Sequence, residues 1–294
     1  MAATLMDGRA LGERIRATVA EEVRVLGELA LATVLVGDDP ASDIYIRLKH
    51  KAALEAEIRA EDVRLPASIP EEELVAKVEE LNADDDVDAV LVQLPLPEPL
   101  DEARVIRALD PVKDVDGFHP LNAGELYLGR PRLVPATPVG AMALLTEYRI
   151  DLDGARAVVI GRSDIVGKPM AHLLLQANAT VTVCHSHTRD LAAHTLEADV
   201  LVVAAGRAGL VTPDMVRTGA VVVDVGMNRT DAGVVGDVDA GVVGDVDPGA
   251  LEVASHMTPV PGGVGPMTIA CLLQNTVRAA RYRRGALAFP EARL

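Results

Sequence analysis

The chain has no tryptophan, two phenylalanines and four tyrosines, an aromatic content of 2%. Any core it builds is therefore aliphatic, made mostly of Val, Leu, Ile and Ala. Cysteine is equally scarce. Cys184 and Cys271 are too few for a disulfide framework, so a reducing cytoplasm is the expected compartment. The apolar runs are strand-sized, so no membrane-spanning helix is expected. Met1 to Arg16 mixes Asp, Arg and Glu with no apolar stretch, and a secretory signal is not expected either. Positive charge is also short: 28 Lys and Arg face 44 Asp and Glu, for a net charge of −16. That balance argues against a general nucleic-acid binder, which needs a basic face. The bases are mostly arginine. An acid-rich surface suits a high-salt cytoplasm, so a halophilic source and a salt-tolerant protein are expected.

What is present fits an enzyme. A chain of 294 residues with 49% hydrophobic content is long enough for one large or two moderate domains. Leu29 to Val36 reads as a buried strand, and Gly37-Asp38-Asp39-Pro40 as the turn after it. Asp39 suits the N-cap and Pro40 the first helical position. On the following helix Tyr45 and Lys49 are four residues apart and share a face. A phenol beside a desolvated amine can move a proton near neutral pH. The spacing alone also fits a surface helix with a snorkelling lysine.

The rest alternates strands with helices and predicts an α/β layer. Asp7 to Leu26 is an amphipathic helix with Leu11, Ile15, Val19, Val23 and Leu26 on one face. Val63 to Leu65 is a short strand, and Ser68-Ile69-Pro70-Glu71 reads as a capping box for a helix burying Leu74, Val78 and Leu81. Ala89 to Gln93 is a further strand, which places Gln93 at its carboxyl end, the usual ligand edge. Pro111 to Gly117 is a loop. Its Asp114 and Asp116 could hold a metal or simply cap the turn.

From Arg156 a βαβ unit emerges: the strand Ala157 to Ile160, a turn from Gly161-Arg162-Ser163 to Gly167, a helix, and the strand Thr180 to Cys184. A glycine turn at that crossover is a dinucleotide-binding arrangement, although the G-x-G-x-x-G spacing is missing. No acid ends the second strand, where NAD-selective sites place one. Ser186 with Arg162 could hold a 2′-phosphate, and Asp190 lies close by. His185-x-His187 is open to a zinc reading or a plain polar loop. Strands over Val200 to Ala204 and Ala220 to Val225 extend the sheet. A verbatim octapeptide repeat follows, Ala232 to Asp239 and Ala240 to Asp247. The two copies could pair as a surface hairpin, with one copy dispensable and the one before Pro248 keeping the working contacts. Thr258-Pro259-Val260-Pro261-Gly262-Gly263 opens the last helix.

In this order the motifs resemble the bifunctional methylenetetrahydrofolate dehydrogenase/cyclohydrolase family over nearly the whole chain. They are Val36-Gly37 through Tyr45 to Lys49, Val92-Gln93-Leu94-Pro95-Leu96-Pro97, Lys113-Asp114-Val115-Asp116-Gly117, Gly161-Arg162-Ser163 with Ile165-Val166-Gly167, Asp224-Val225-Gly226, and Pro259 to Thr268. The resemblance implies two α/β domains with a cleft between them. Residues 1–138, completed by 267–294, would hold folate, and a Rossmann-like domain over 139–266 would hold NADP. It makes Lys49 the proton-transferring group, with Tyr45 near the pterin and Gln93 hydrogen-bonded to Lys49. Asp116 would grip the pterin, and Pro261, Gly262 and Gly263 would border the folate. Gly161, Arg162, Ser163, Ser186 and Met227 fall at cofactor positions. Tetrahydrofolate one-carbon derivatives are the implied partners of a homodimer. Two departures stand out: Ala136 replaces a common cysteine, and Ala208 a usual proline. A short-chain dehydrogenase also uses Tyr-x-x-x-Lys, but after its cofactor loop, whereas here the pair comes first. A non-catalytic dinucleotide sensor would not need Lys49, Gln93 and Asp116 together.

Overall fold

The computed structural model of the chain describes residues 3–229 and 242–288. It opens with β1 (Thr4–Leu5), α1 (Gly8–Leu26), β2 (Leu29–Val36), α2 (Pro40–Glu55), β3 (Ile58–Leu65), α3 (Glu71–Ala83) and β4 (Ala89–Val92). Helices α4 (Glu102–Ala108), α5 (Pro120–Tyr127) and α6 (Ala136–Glu147) come next. A second alternating run holds β5 (Arg156–Ile160), α7 (Gly167–Gln176), β6 (Thr180–Cys184), α8 (Leu191–Thr195), β7 (Val200–Val203) and β8 (Val221–Asp224). The short strands β9 (Asn228–Arg229), β10 (Val242–Val243) and β11 (His256–Met257) lead to α9 (Val264–Arg283). Two compact α/β units result: Glu13–Ala136 with the chain from Ile269 onward, and Met1–Gly12 with Thr137–Thr268.

The first unit is built on a three-stranded parallel sheet in the order β3-β2-β4. Every residue of the central strand β2 is buried, which is why it reads as an unbroken apolar run. Ala32, Val34 and Val36 pack with Leu74, Val78 and Leu81 of α3 and with Val105 and Ile106 of α4. At ~1.5–3 kcal/mol for each large side chain taken out of water, such aliphatic contacts hold the layer without aromatics. The strand at Val63 to Leu65 is longer than expected, beginning at Ile58. It is an edge strand, and Arg59, Glu61, Asp62 and Arg64 mask its period with charges that pair among themselves and with Asp43. The capping box does not form. The N-cap of α3 is Pro70, with no side-chain cap bond, and Ser68 lies two residues upstream. Three acids, Glu71, Glu72 and Glu73, favour the helix start through its dipole instead.

The second unit carries a six-stranded sheet in the order β1-β11-β8-β7-β5-β6, every neighbouring pair parallel. Val158, Ile160, Leu201, Val203 and Val222 fill one side of it. Residues 1–12, expected with the first domain, belong here. The main chain of β1 pairs with β11 (Thr4 with His256, Leu5 with Met257), and the Met6 N–H donates to the Met257 carbonyl at 2.9 Å. Strands of two residues have no sequence period to read. The first repeat copy lies outside the described residues, and with it the proposed hairpin. In the second copy Val242–Val243 pairs antiparallel with Asn228–Arg229. Among the described residues no helix is long and apolar enough to cross a membrane.

Candidate active site

In the first unit the carboxyl ends of β2 and β4 bring three polar groups together. Asp39 caps α2 as its spacing predicted, accepting the Ser42 N–H at 2.8 Å, with Pro40 in the first turn. Helix α2 is thus anchored at the end of β2 and carries Tyr45 and, one turn on, Lys49. The Lys49 Nζ donates to Gln93 Oε1 at 3.1 Å. Gln93 follows β4, its N–H held by the Val34 carbonyl at 2.9 Å. Its Nε2 donates to the Leu94 carbonyl at 2.8 Å, which turns Oε1 toward the lysine.

Asp116 completes the group from a loop that extends the sheet. The Val90 N–H donates to the Lys113 carbonyl at 2.7 Å, and Asp114 forms a parallel bridge with Val90. Buried Lys113 ties this loop to α3 through the Leu81 and Asp84 carbonyls, at 2.9 and 2.6 Å. Asp114 is a turn residue. It accepts from the His119 N–H at 2.7 Å and the Asn122 amide at 2.9 Å, so it caps the turn as one reading of this loop expected. Gly117 has φ +67°, and a Cβ there would lie 2.7 Å from the Leu133 carbonyl oxygen, so no larger residue fits. Asn275 of α9 donates to the Val115 and Val134 carbonyls at 2.7 and 2.8 Å.

Burial lowers the Lys49 pKa from the usual lysine value, and the nearby Asp116 charge partly offsets this. Asp116 is raised to about 6, again chiefly by burial, with the Lys49 charge opposing. A lysine shifted down beside an acid shifted up is a pair suited to proton transfer.

In the second unit the turn from Gly161 to Gly167 joins β5 to α7. Gly161 ends β5 with φ +124°, and a Cβ there would lie 2.2 Å from the Ala204 carbonyl oxygen. Gly167, at the start of α7, has the Gly161 carbonyl oxygen 2.3 Å from where its own Cβ would be. This close packing leaves backbone and a helix N-terminus facing the turn, as a pyrophosphate requires. Ser163 Oγ accepts from the Val166 and Gly167 N–H groups at 3.2 and 3.3 Å, while Arg162 is exposed on the turn. Ser186 is exposed just past β6. The acid near it, Asp190, is the N-cap of α8, its carboxylate accepting the Ala193 N–H at 3.3 Å. His185 Nδ1 accepts the His187 N–H at 3.1 Å, and no cluster of three or more metal-ligating side chains occurs among the described residues.

Pro261, Gly262 and Gly263 also lie in this unit. The Gly8 N–H donates to the Gly262 carbonyl at 2.9 Å, and a Cβ on Gly8 would meet the Gly263 oxygen at 1.8 Å. Met227 is partly exposed, with its sulfur 3.5 Å from the position of a Cβ on Gly265.

Two family models match the chain: the tetrahydrofolate dehydrogenase/cyclohydrolase catalytic domain over residues 6–116, and the NAD(P)-binding domain of the same enzymes over residues 135–284. A bifunctional protein FolD of Paraburkholderia phytofirmans is 54% identical over 291 residues, covering 97% of this chain and 99% of the relative. The chain belongs to the tetrahydrofolate dehydrogenase/cyclohydrolase family. Solved members of the family share the architecture. The Campylobacter jejuni FolD enzyme is 47% identical with a TM-score of 0.91, covering 96% of this chain and 100% of that one. The Trypanosoma brucei FolD, solved with NADP and an inhibitor, is 38% identical with a TM-score of 0.91, covering 98% and 100%.

Several polar residues of this family member escape a reading of its sequence. Asn275 and Asp245 are buried and hydrogen-bonded to backbone groups, and buried Asn122 donates to the Pro111 carbonyl and to Asp114. The only available signal was a polar residue inside an apolar or glycine-rich stretch, which is weak on its own.

Proposed function

We propose that this chain oxidises 5,10-methylenetetrahydrofolate to the 5,10-methenyl form with NADP, then hydrolyses that product to 10-formyltetrahydrofolate. The observation that carries the reading is Lys49, held by Gln93 and coupled to Asp116, in the unit matched by the family's catalytic-domain model. When bound, NADP supplies the hydride acceptor. The oxidation leaves a stabilised cation, so it calls for positioning more than for a base. Tyr45 packs near the pterin, and Asp116 grips it.

Hydrolysis needs a proton moved twice. Water adds to the methenyl carbon as its proton passes to neutral Lys49. The C–N bond then breaks as the hydroxyl loses its remaining proton to solvent and becomes the formyl carbonyl, and Lys49 returns the first proton to the departing nitrogen. Desolvation favours the neutral amine, and Gln93 aims it. Gly161, Arg162, Ser163, Ser186 and Met227 hold the cofactor. By its family resemblance the chain works as a homodimer in the cytoplasm, a point that sedimentation of the purified protein tests.

The deciding experiment mixes purified protein with 5,10-methylenetetrahydrofolate and either NADP or NAD. Methenyl absorbance should rise with NADP and then decay as the formyl product forms. No NADPH formation would overturn the reading.

A further inference from the structure

We infer that Asp245, in the second copy of the repeated octapeptide, is a positioning residue for the nucleotide turn; this rests on the reading that the Gly161 turn holds NADP. Asp245 is fully buried. Its Oδ2 accepts the Ala205 and Gly206 N–H groups at 2.7 and 2.8 Å. Its Oδ1 accepts the Arg207 N–H at 2.7 Å and the Asn228 amide at 2.8 Å. Four donors surround one carboxylate, three of them consecutive backbone amides.

Those amides belong to the loop leaving β7, directly beside the nucleotide turn. Ala204, at the start of the loop, donates its N–H to the Ile160 carbonyl at 2.8 Å and packs its own carbonyl against Gly161. On the other flank, a Cβ on Gly226 would lie 2.3 Å from the Asp245 carboxyl carbon. Asp245 thus clamps the loops at the carboxyl ends of β7 and β8, the edge where open parallel sheets take their ligands. Its own backbone is set by Asp224, which accepts the Asp245 and Val246 N–H groups at 3.0 and 2.9 Å. Gly244 is obligatory beside it, since a Cβ there would fall 1.9 Å from Asp224 Oδ2. Glycine, aspartate and valine of the octapeptide are therefore all used in the second copy.

Asp245→Asn tests this without changing side-chain size. An amide would face one pair of N–H donors with its own NH₂, losing two of the four bonds. KM for NADP should rise at least tenfold with a smaller change in kcat. Hydrolysis of added methenyltetrahydrofolate, which needs no NADP, should stay within twofold of the parent. The matching change in the first copy, Asp237→Asn, and deletion of residues 232–239 should both leave KM near the parent value. A normal KM in Asp245→Asn, or a raised KM in Asp237→Asn alone, overturns the assignment. If Asp245→Asn does not fold, Asn228→Ala decides. A threefold or larger rise in KM with hydrolysis unchanged supports the clamp, and an unchanged KM refutes it. A parent protein without NADP-dependent oxidation would instead sink the functional reading itself.

Discussion

The two units solve opposite problems with opposite materials. Around Lys49 the proposed working groups are side chains, an amine, an amide and a carboxylate, and burial lowers the pKa of the amine and raises that of the acid. Around Gly161 the working surface is backbone, and glycine geometry with buried acids sets its shape. Proton chemistry is thus concentrated in a few titratable atoms, while nucleotide binding is spread over many amides. The first should fail all at once when one residue changes, the second in degrees.

The largest effect should come from Lys49→Met, which removes the only proposed proton carrier. Methenyl hydrolysis should fall by ~10²–10⁴-fold, the usual contribution of a positioned acid–base group. NADP affinity, measured by fluorescence titration, should stay near the parent value. Hydrolysis at the parent rate would mean another group carries the proton.

Next comes Gly161→Ala. The added Cβ meets the Ala204 carbonyl, and φ +124° suits no side chain, at a cost of ~1–3 kcal/mol. NADP binding should weaken at least tenfold and the melting temperature should drop. An unaffected KM would show that the turn does not touch the cofactor.

A pH series sharpens the first half of the comparison. Hydrolysis should rise with pH as Lys49 loses its proton, at a pH below that of an ordinary lysine. Asp116 raises the Lys49 pKa, so Asp116→Asn should move this inflection to lower pH even as overall activity falls. An inflection that stays in place would show that the two groups are uncoupled.

The smallest effect belongs to the exposed Arg162. Arg162→Ala should raise KM for NADP several-fold and leave KM for NAD nearly unchanged. Equal losses would assign the guanidinium to a part that both nucleotides share.

The same contrast governs what could be read from the residues alone. Tyr45 and Lys49 at helical spacing, Gln93 just past a strand and Asp116 in a Pro/Gly-bounded loop stand in recognisable patterns, and the strand β2 announces itself through continuous burial. Asp39 as a cap was legible because capping is local in sequence. β1 and β11 were not, since two residues carry no period and their partners are some 250 positions apart. Asn275 was hidden for a related reason. A polar residue beside Gln274 and Thr276 on a mixed helix says nothing of the two distant carbonyls it satisfies. Asp245 looked like half of a redundant repeat, and only its surrounding amides distinguish it.

The bonds from Asn275 also impose an order on biosynthesis. The catalytic unit takes its closing helix from residues after 268, with Leu272, Leu273 and Val277 buried. On the ribosome the six-stranded sheet has all its strands once Met257 has emerged, before that helix is available. The Asp116 loop, made more than a hundred residues earlier, waits for Asn275 to fix its carbonyls. The unit that holds Lys49 is therefore completed after the six-stranded sheet, and a chain ending before α9 would leave the Asp116 loop without its bonds to Asn275.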